Sequence, residues 1–579
     1  MTGRLGLFVG VLAQGLLVKS KLMPKLAFVA ALLAAASGLC AREPARSHHA
    51  MVATRETHAT DIGLAVLQSG GNAIDAAVAV GLALAVTHPA AGNIGGGGFL
   101  LARFSDGRTT FIDFRERAPE RASRDMYLGA DGSASEDSRV GYRASGVPGT
   151  VRGFELAHQK YGRKRWADLV APAVRLARDG FPVSYSLAES LRSRYTADRL
   201  GRFPESKRIF LRDGRFYEAG ERLIQPELAS TLERIRDRGA AGFYEGETAG
   251  LLAADMSAHG GLITREDLKN YRAIERKPLA GAYRGYSIIT APPPSSGGVG
   301  ILQMLGVLEG SGYSQSGIGS AAEVHFLAET MRRYFADRSE YMGDPDFYHV
   351  PVGSLLNPRY IADRRRSIDL EHATLSASLR PGKLGGFESS DTTHYSIVDA
   401  EGNAVAVTYT LNNGFGSALT ATKLGFLLND EMDDFAAKPG DPNLFGLIQG
   451  EANSIQPHKT PLSSMTPTIV LRDGKLYLVV GSPGGPTIIN TVLEVLINVI
   501  DFDMNLADAV DAPRLHHQWM PDVLRLEPGF SPDTVALLTA RGHKVEIEGQ
   551  QGEVAAIRVQ NGWLEGDADP RTEGTAKGY

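Results

Sequence analysis

The chain has 579 residues, enough for several domains or one large α/β unit, with 43% apolar and 22% charged residues, an ordinary globular mixture that can build a substantial core. A formal net charge of only −5, with both signs interspersed, leaves no basic stripe of the kind nucleic acid demands. The single cysteine, Cys40, excludes an internal disulfide framework, so an exported chain must be held by its core alone.

Two apolar runs, Leu5 to Val18 and Leu26 to Leu39, flank Lys19, Lys21 and Lys25. The second has the length of a signal-peptide core and ends in small residues before Arg42-Glu43-Pro44. Residues 1–41 are therefore predicted to be a signal peptide cleaved after Ala41, with Met23 as an alternative start. Each run is shorter than the roughly 20 residues that cross a bilayer, which points to a periplasmic or secreted protein without a stable membrane span. Cys40 opens a lipoprotein alternative, which the large Leu39 before it disfavours.

From His58 to Val86 the pattern is helical: Asp61 to Gln68 ends at Gly70-Gly71, and Asn72 to Val86 is an Ala/Val-rich helix buried on most faces. A glycine run, Gly95 to Gly98, leads into Phe99 to Phe104, and Asp106-Gly107 turns the chain into Thr109 to Phe114, a hairpin. Residues 150 to 340 read mostly as helices with Gly/Pro breaks, among them Trp166 to Arg178 and Ala321 to Tyr341. Between these lies a rigid-then-flexible loop, Ala291 to Gly298. Arg364-Arg365-Arg366, the densest basic spot, reads as a solvated helix face. Residues 367 to 390, rich in Ser and Gly, read as an exposed, mobile segment. Strands then follow at His394 to Val398, Ala404 to Thr410, Thr468 to Leu471 and Leu476 to Val480, with a long helix from Thr487 to Phe502.

Two hairpins can be folded from their turns. If the first is symmetric about Glu401, Thr392 lies opposite Thr410, with Asn412 just beyond. If the second turns at Asp473-Gly474, Ser464 lies opposite Pro483 and Ser463 opposite Gly484. A bulge would shift either register by one. The open ends thus gather hydroxyls, an amide and a glycine pair. A threonine hydroxyl is a poor nucleophile without a base, but as the first residue of a chain its own α-amine, of reference pKa roughly 7.7–8.0, can serve. Thr392 is internal, so the Asp391–Thr392 bond must break first. Gly484-Gly485-Pro486 opens the long helix, where backbone N–H groups without intrahelical partners form a ready oxyanion site. His394, His516 and His517 lack metal-ligand spacing and read as structural. The glycine run lacks the Lys-Ser/Thr of a P-loop, and no acidic ribose partner is placed for a dinucleotide fold.

The strings Asp391-Thr392-Thr393-His394-Tyr395-Ser396, Thr408-Tyr409-Thr410-Leu411-Asn412, Glu431-Met432-Asp433-Asp434-Phe435, Pro461-Leu462-Ser463-Ser464-Met465 and Gly481-Ser482-Pro483-Gly484-Gly485 resemble the γ-glutamyltranspeptidase family. Asp113-Phe114-Arg115-Glu116, Gly146-Val147-Pro148-Gly149 and Ala512-Pro513-Arg514 extend the match, which runs from about His48 to Tyr579. The resemblance implies an N-terminal-nucleophile hydrolase: a four-layer αββα sandwich of the α/β (α+β) class, made of a large subunit (42–391) and a small catalytic subunit (392–579) cut from one precursor. It implies that Thr392 is the processing residue and then the nucleophile, that Thr410 hydrogen-bonds it, and that Gly484 and Gly485 form the oxyanion hole. Arg115, Ser463 and Ser464 would bind the α-carboxylate of a γ-glutamyl group, and Asn412, Glu431 and Asp434 its α-amine. Guanidinium forks match carboxylates, and carboxylates with an amide carbonyl accept from ammonium, so these roles fit the residue types. Expected substrates are glutathione and other γ-glutamyl compounds, with amino acids, dipeptides or water as acceptors. The chemistry needs no metal or organic cofactor. Two departures stand out: Glu431 occupies a position where some bacterial relatives have Gln, and Phe445 falls where relatives with a lid loop often have Tyr. Rival readings are a glutaryl or cephalosporin acylase, disfavoured by Asp434, a polyglutamate-cleaving relative, and a non-catalytic binding protein, disfavoured by intact Thr392, Thr410 and the glycine pair.

Overall fold

The computed structural model describes residues 42–381, 393–438, 447 and 450–579. The leader assigned to residues 1–41, the processing pair Asp391 and Thr392, and Phe445 lie outside the described residues.

Turn chemistry sets the strand registers. At Asp399 to Asn403 the carboxylate of Asp399 accepts from the N–H groups of Glu401 and Asn403 at 3.0 and 2.9 Å. The turn is thereby fixed, and Thr393–Val398 pairs with Ala404–Thr410 from Val398↔Ala404 to Thr393↔Tyr409, the register expected from symmetry about Glu401. Asp473 and Gly474, at φ 52° and 75°, form the left-handed pair that a two-residue hairpin needs. Their hairpin starts in the expected register at Arg472↔Lys475, but a bulge between Val470 and Leu471 shifts it to Val470↔Leu478 and Thr468↔Val480. The ladder's register past the bulge therefore no longer matches Ser464 with Pro483 or Ser463 with Gly484. It also ends at Thr468↔Val480, short of both pairs. That expectation is corrected by the one extra residue.

Two seven-stranded antiparallel sheets result. One runs in the order Thr575–Gly578, Met51–Thr54, Thr393–Val398, Ala404–Thr410, Gly97–Arg103, Thr109–Asp113, Ile274–Arg276. The other runs Ala45–Ser47, Trp563–Ala568, Ala555–Gln560, Lys475–Gly481, Thr468–Arg472, Tyr286–Thr290, Leu279–Tyr283. Side chains alternate across a strand. Leu100 and Ala102 accordingly join a core with helices Ala73–Thr87 and Trp166–Asp179, while Phe99 and Leu101 face the second sheet in another core. That second core also takes in helices Gly297–Leu308, Ala321–Tyr341 and Thr487–Ile500. The layers are helix, sheet, sheet, helix, the expected αββα sandwich, within one compact unit from Pro44 to Tyr579.

The first expected helix starts earlier than read, at Thr57–Gln68, because Glu56 caps it by accepting from His58 and Ala59 N–H. Asn72 and Asp75 make a capping box for Ala73–Thr87. The helical reading of residues 150 to 340 misses three strands between Ile274 and Thr290. The hairpin there turns on Arg284-Gly285, at φ 47° and 85°, and arginine is not among the residues that announce such a turn. The basic triplet is not a solvated face. Arg364 is buried against Asp337 and donates to Arg333 O at 2.9 Å, and Arg365 reaches Val307 O at 2.8 Å; Arg366 stays exposed beside Asp363. The described part of the 367–390 segment is only partly exposed: Ser376 is fully buried and donates its N–H to Asp522 at 2.7 Å.

Candidate active site

The site forms where the Thr410 strand end, the turn at Glu431, the Ser463-Ser464 stretch and the strand leading to Arg115 converge. Thr410 closes its strand beside Gly97, and its Oγ1 accepts from Asn412 N–H at 2.8 Å. A β-carbon at Gly96 would stand 2.0 Å from Thr410 O, so the glycine run exists to seat this strand end rather than a phosphate. Asn412, at φ 79°, holds the left-handed conformation that asparagine tolerates, and its amide donates to Asp430 O at 3.1 Å.

Glu431–Asp434 is a single 3₁₀ turn. Residues three apart eclipse in such a helix, which turns Glu431 and Asp434 to the same side. Both meet Arg115: Glu431 Oε2 lies 2.7 Å from Nη1, and Asp434 pairs with Nη2. Asp433, between them, points away and accepts from Ser138 Oγ at 2.6 Å. It is buried, as is Asp434, so neither is a solvated turn residue. Asn429 fixes the turn, accepting from Glu431 and Gly146 N–H at 3.1 and 2.8 Å, which gives the Gly146-Val147-Pro148-Gly149 motif its place.

Arg115 is 2% exposed. It also donates to Pro461 O and Leu462 O at 3.4 and 3.2 Å, tying it to the chain just before Ser463. Ser463 is clamped by the loop at 291–298: its N–H donates to Pro294 O at 2.8 Å and its carbonyl accepts from Ser296 N–H at 2.7 Å. Ser464 Oγ accepts from Arg338 at 2.9 Å. The structure thus brings the expected carboxylate binder Arg115 and the expected amine binders Glu431 and Asp434 into direct ion contact, with Asn412 tied to Asp430 beside Glu431 and Ser463 and Ser464 following the carbonyls that Arg115 reaches.

Two residues of this site carried no assigned role in the sequence reading. Glu116 is fully buried, 3.7 Å from Arg115 through Oε2, and neither of its oxygens accepts a hydrogen bond among the described residues. It stood in the matched motif, but a carboxylate beside an arginine reads as an ordinary ion pair. Arg338, buried on the Ala321–Tyr341 helix, touches both Ser464 and Ser296. A charged residue on a long amphipathic helix gives no sequence signal of burial.

One guanidinium faces several carboxyls. Burial, opposed by Arg115, pushes the Glu116 carboxyl up to about 8, and burial raises Glu431 well above the usual range, with Arg115 opposing and Glu116, Asp434 and Asp430 adding repulsion. Near pH 7 Glu116 therefore keeps its proton, which an incoming ammonium can replace. Raising the pH from 6 to 8 lowers the cost of releasing it, so KM for an α-amino donor is expected to fall across that window. Glu116→Gln should flatten the slope. A wild-type KM that stays constant from pH 6 to 8 would contradict this reading.

Gly484 and Gly485 sit at φ 125° and 62°, just before Pro486, which caps Thr487–Ile500. A β-carbon on Gly484 would lie 2.4 Å from Thr487 Oγ1. Among the described residues neither glycine N–H has a hydrogen-bond partner, while Gly484 O accepts from Thr487 N–H and Oγ1 at 3.2 and 2.7 Å. His394 does no titratable work: burial holds it down at about 3, and it bridges Thr408 Oγ1 and Ser396 Oγ at 2.8 and 3.1 Å. His516 is likewise held at about 3 by burial, between Asn490 and Gln518.

An αββα sandwich with a threonine-rich hairpin end, a glycine turn and a buried ionic cluster fits an N-terminal-nucleophile hydrolase. The family model described as Gamma-glutamyltranspeptidase matches residues 59–579, and the chain belongs to that family. It is 51% identical over 531 residues to the glutathione hydrolase proenzyme of Escherichia coli (strain K12), covering 91% of each chain. Among solved structures it is similar to cephalosporin acylase from Bacillus halodurans, with TM-score 0.83 at 28% identity over 93% of this chain and 97% of that one. It is also similar to Helicobacter pylori gamma-glutamyltranspeptidase, with TM-score 0.55 at 45% identity over 57% of this chain and 95% of that one.

Proposed function

We propose that the chain is a self-processed γ-glutamyltransferase and glutathione hydrolase, the activity that the names of its relatives carry. Family membership and 51% identity to a glutathione hydrolase proenzyme support it. The observation that carries the substrate class is the buried set of Arg115, Glu431 and Asp434: one fixed cation beside an excess of carboxyls is a receptor for a zwitterionic α-amino acid head. With that head held, the γ-carbonyl extends toward the Thr410 strand end.

In the reaction so read, cleavage of Asp391–Thr392 frees the Thr392 α-amine. Thr392 Oγ attacks the γ-carbonyl carbon, its proton passes to the α-amine, and the oxyanion is held by the Gly484 and Gly485 N–H groups. Collapse expels the amine, protonated by the Thr392 ammonium, and leaves a γ-glutamyl ester. Water or an acceptor amine then attacks that ester by the reverse sequence. Neither step calls on a metal or an organic cofactor.

The two predicted subunits would stay together without disulfides. Each sheet interleaves strands from both sides of residue 391: Met51–Thr54 lies between Thr575–Gly578 and Thr393–Val398, and Thr468–Arg472 pairs with Tyr286–Thr290. Residues 1–41 serve export to the periplasm or medium on this reading. No helix of the described residues is long and apolar enough to cross a membrane.

The likeness to a cephalosporin acylase keeps one rival alive, a glutaryl-type acylase. The carboxyl excess around Arg115 weighs against it, since a glutaryl group has no amine to neutralise those charges. Purified protein assayed with γ-glutamyl anilide, with and without glycylglycine, and with glutaryl anilide separates the two. Release of aniline from the γ-glutamyl compound, increased by glycylglycine, is expected. Equal or faster turnover of the glutaryl compound would overturn the assignment.

A further inference from the structure

On the far side of the second sheet, between the Ala321–Tyr341 and Thr487–Ile500 helices, lies a cavity of about 400 Å³ whose walls include Leu327, Ile497, Met504 and Phe530 together with Glu323 and Glu494. Its volume falls within the range of small-molecule sites. Both carboxyls are buried, at 3% and 6% exposure. Glu494 Oε1 accepts from Leu515 N–H at 2.8 Å, but Oε2 has no hydrogen-bond partner among the described residues. Glu323 Oε2 accepts from Gly319 N–H at 3.1 Å.

We propose that this cavity is a binding site for a small organic ammonium ion with an apolar tail, whose N–H groups are taken up by Glu494 and Glu323. The donor set selects the ligand. An anion would meet two carboxyls and no cation in the lining. Arg514, whose charge Glu494 feels, is committed to Asp569 at 2.5 Å and to Val510 O at 2.8 Å. A calcium ion needs six to eight oxygens, and the remaining lining is largely apolar. A neutral apolar molecule would leave Glu494 Oε2 unsatisfied, which burial makes costly. An ammonium with a hydrocarbon tail satisfies the carboxyls and the apolar wall at once. Burial raises both acids, Glu323 to about 7, as expected for carboxyls lacking a counter-charge.

The site is separate from the glycine pair, because Glu494 stands seven residues along the helix from its first residue, Thr487, roughly 10 Å at 1.5 Å per residue. The test uses the mature two-chain protein and protonated hexylamine, which offers three N–H groups, with no γ-glutamyl donor present, so turnover of the amine as an acceptor does not enter. Calorimetric titration should show one site binding the amine at least tenfold more tightly than 1-hexanol or hexanoate. Glu494→Gln should weaken the amine at least tenfold while leaving hydrolysis of γ-glutamyl anilide unchanged. Should Glu494→Gln impair maturation, Glu323→Gln carries the same comparison. Equal binding of amine and alcohol, undiminished amine binding in the variants, or no binding at millimolar amine would overturn the proposal.

Discussion

Gly485→Ala is expected to lower donor turnover by a factor on the order of 10²–10³, the loss seen when one oxyanion donor is removed from a hydrolase. Gly485 holds φ 62°, a conformation that costs an L-residue roughly 1–2 kcal/mol. Relief of that strain rotates the Gly484–Gly485 peptide plane, and with it the Gly485 N–H. Fold stability should fall little, because the turn is braced from its other side. Ser482 Oγ donates to Pro483 O at 2.7 Å and accepts from Glu553 N–H at 2.9 Å. A β-branched residue is more severely strained at such φ, so Gly485→Val should lose more rate and some stability. If the same N–H groups stabilise the cleavage intermediate at Asp391, Gly485→Ala will also mature slowly. Co-expression of residues 42–391 with a small chain whose Thr392 is freed by a leader peptidase separates the two effects. A bypassed variant that turns over donor at the wild-type rate would reduce the glycine pair to a turn.

Arg115→Lys and Asp434→Ala are each expected to weaken the γ-glutamyl donor by about 2–5 kcal/mol, the usual loss on truncating one partner of a buried charge pair. Maturation should be intact in both. Arg115 uses its fork: Nη1 serves Glu431, while Nη2 serves Asp434 and Leu462 O. A lysine ammonium offers one point charge on a flexible stem and cannot hold a carboxylate by two parallel donors. Asp434→Ala removes the carboxylate and keeps the turn, because the Asn453 amide donates to the Asp434 backbone carbonyl at 2.6 Å. It leaves Arg115 to Glu431 and Glu116. Donor KM measured in both variants, with the two-chain pattern as a control, checks the point. An unchanged donor KM in either would show that the substrate head binds elsewhere.

Where local chemistry is decisive, the sequence could be read closely. The Asp399–Asn403 turn and the Asp473-Gly474 pair locate two hairpins, and the Ala404–Thr410 and Ala321–Tyr341 elements fall at their expected bounds. What escaped depends on geometry that residue types do not encode. The bulge at Val470 and Leu471 moved the Ser464 register by one. Arg284-Gly285 made a hairpin without the expected turn residues, and Asn561-Gly562, at φ 52° and 80°, made another that its sequence did announce and that went unread. For the site, the motifs supplied Arg115, Asn412, Glu431, Asp434, Ser463 and Ser464, and the fold brings them together. The sequence did not convey that Arg115 rests against the carboxyls meant for the substrate amine, nor that Glu116 and Arg338 complete the surroundings. Those facts follow from the period of a 3₁₀ turn and from tertiary burial.

Thr392 is proposed to become an N-terminus and then to act as nucleophile. Intact-mass and N-terminal analysis of the purified protein tests it most directly. The expected result is two chains that separate only on denaturation, the smaller running from Thr392 to Tyr579, and a single uncleaved chain from Thr392→Ala. A small chain that begins at any other residue, or normal cleavage in Thr392→Ala, would contradict it.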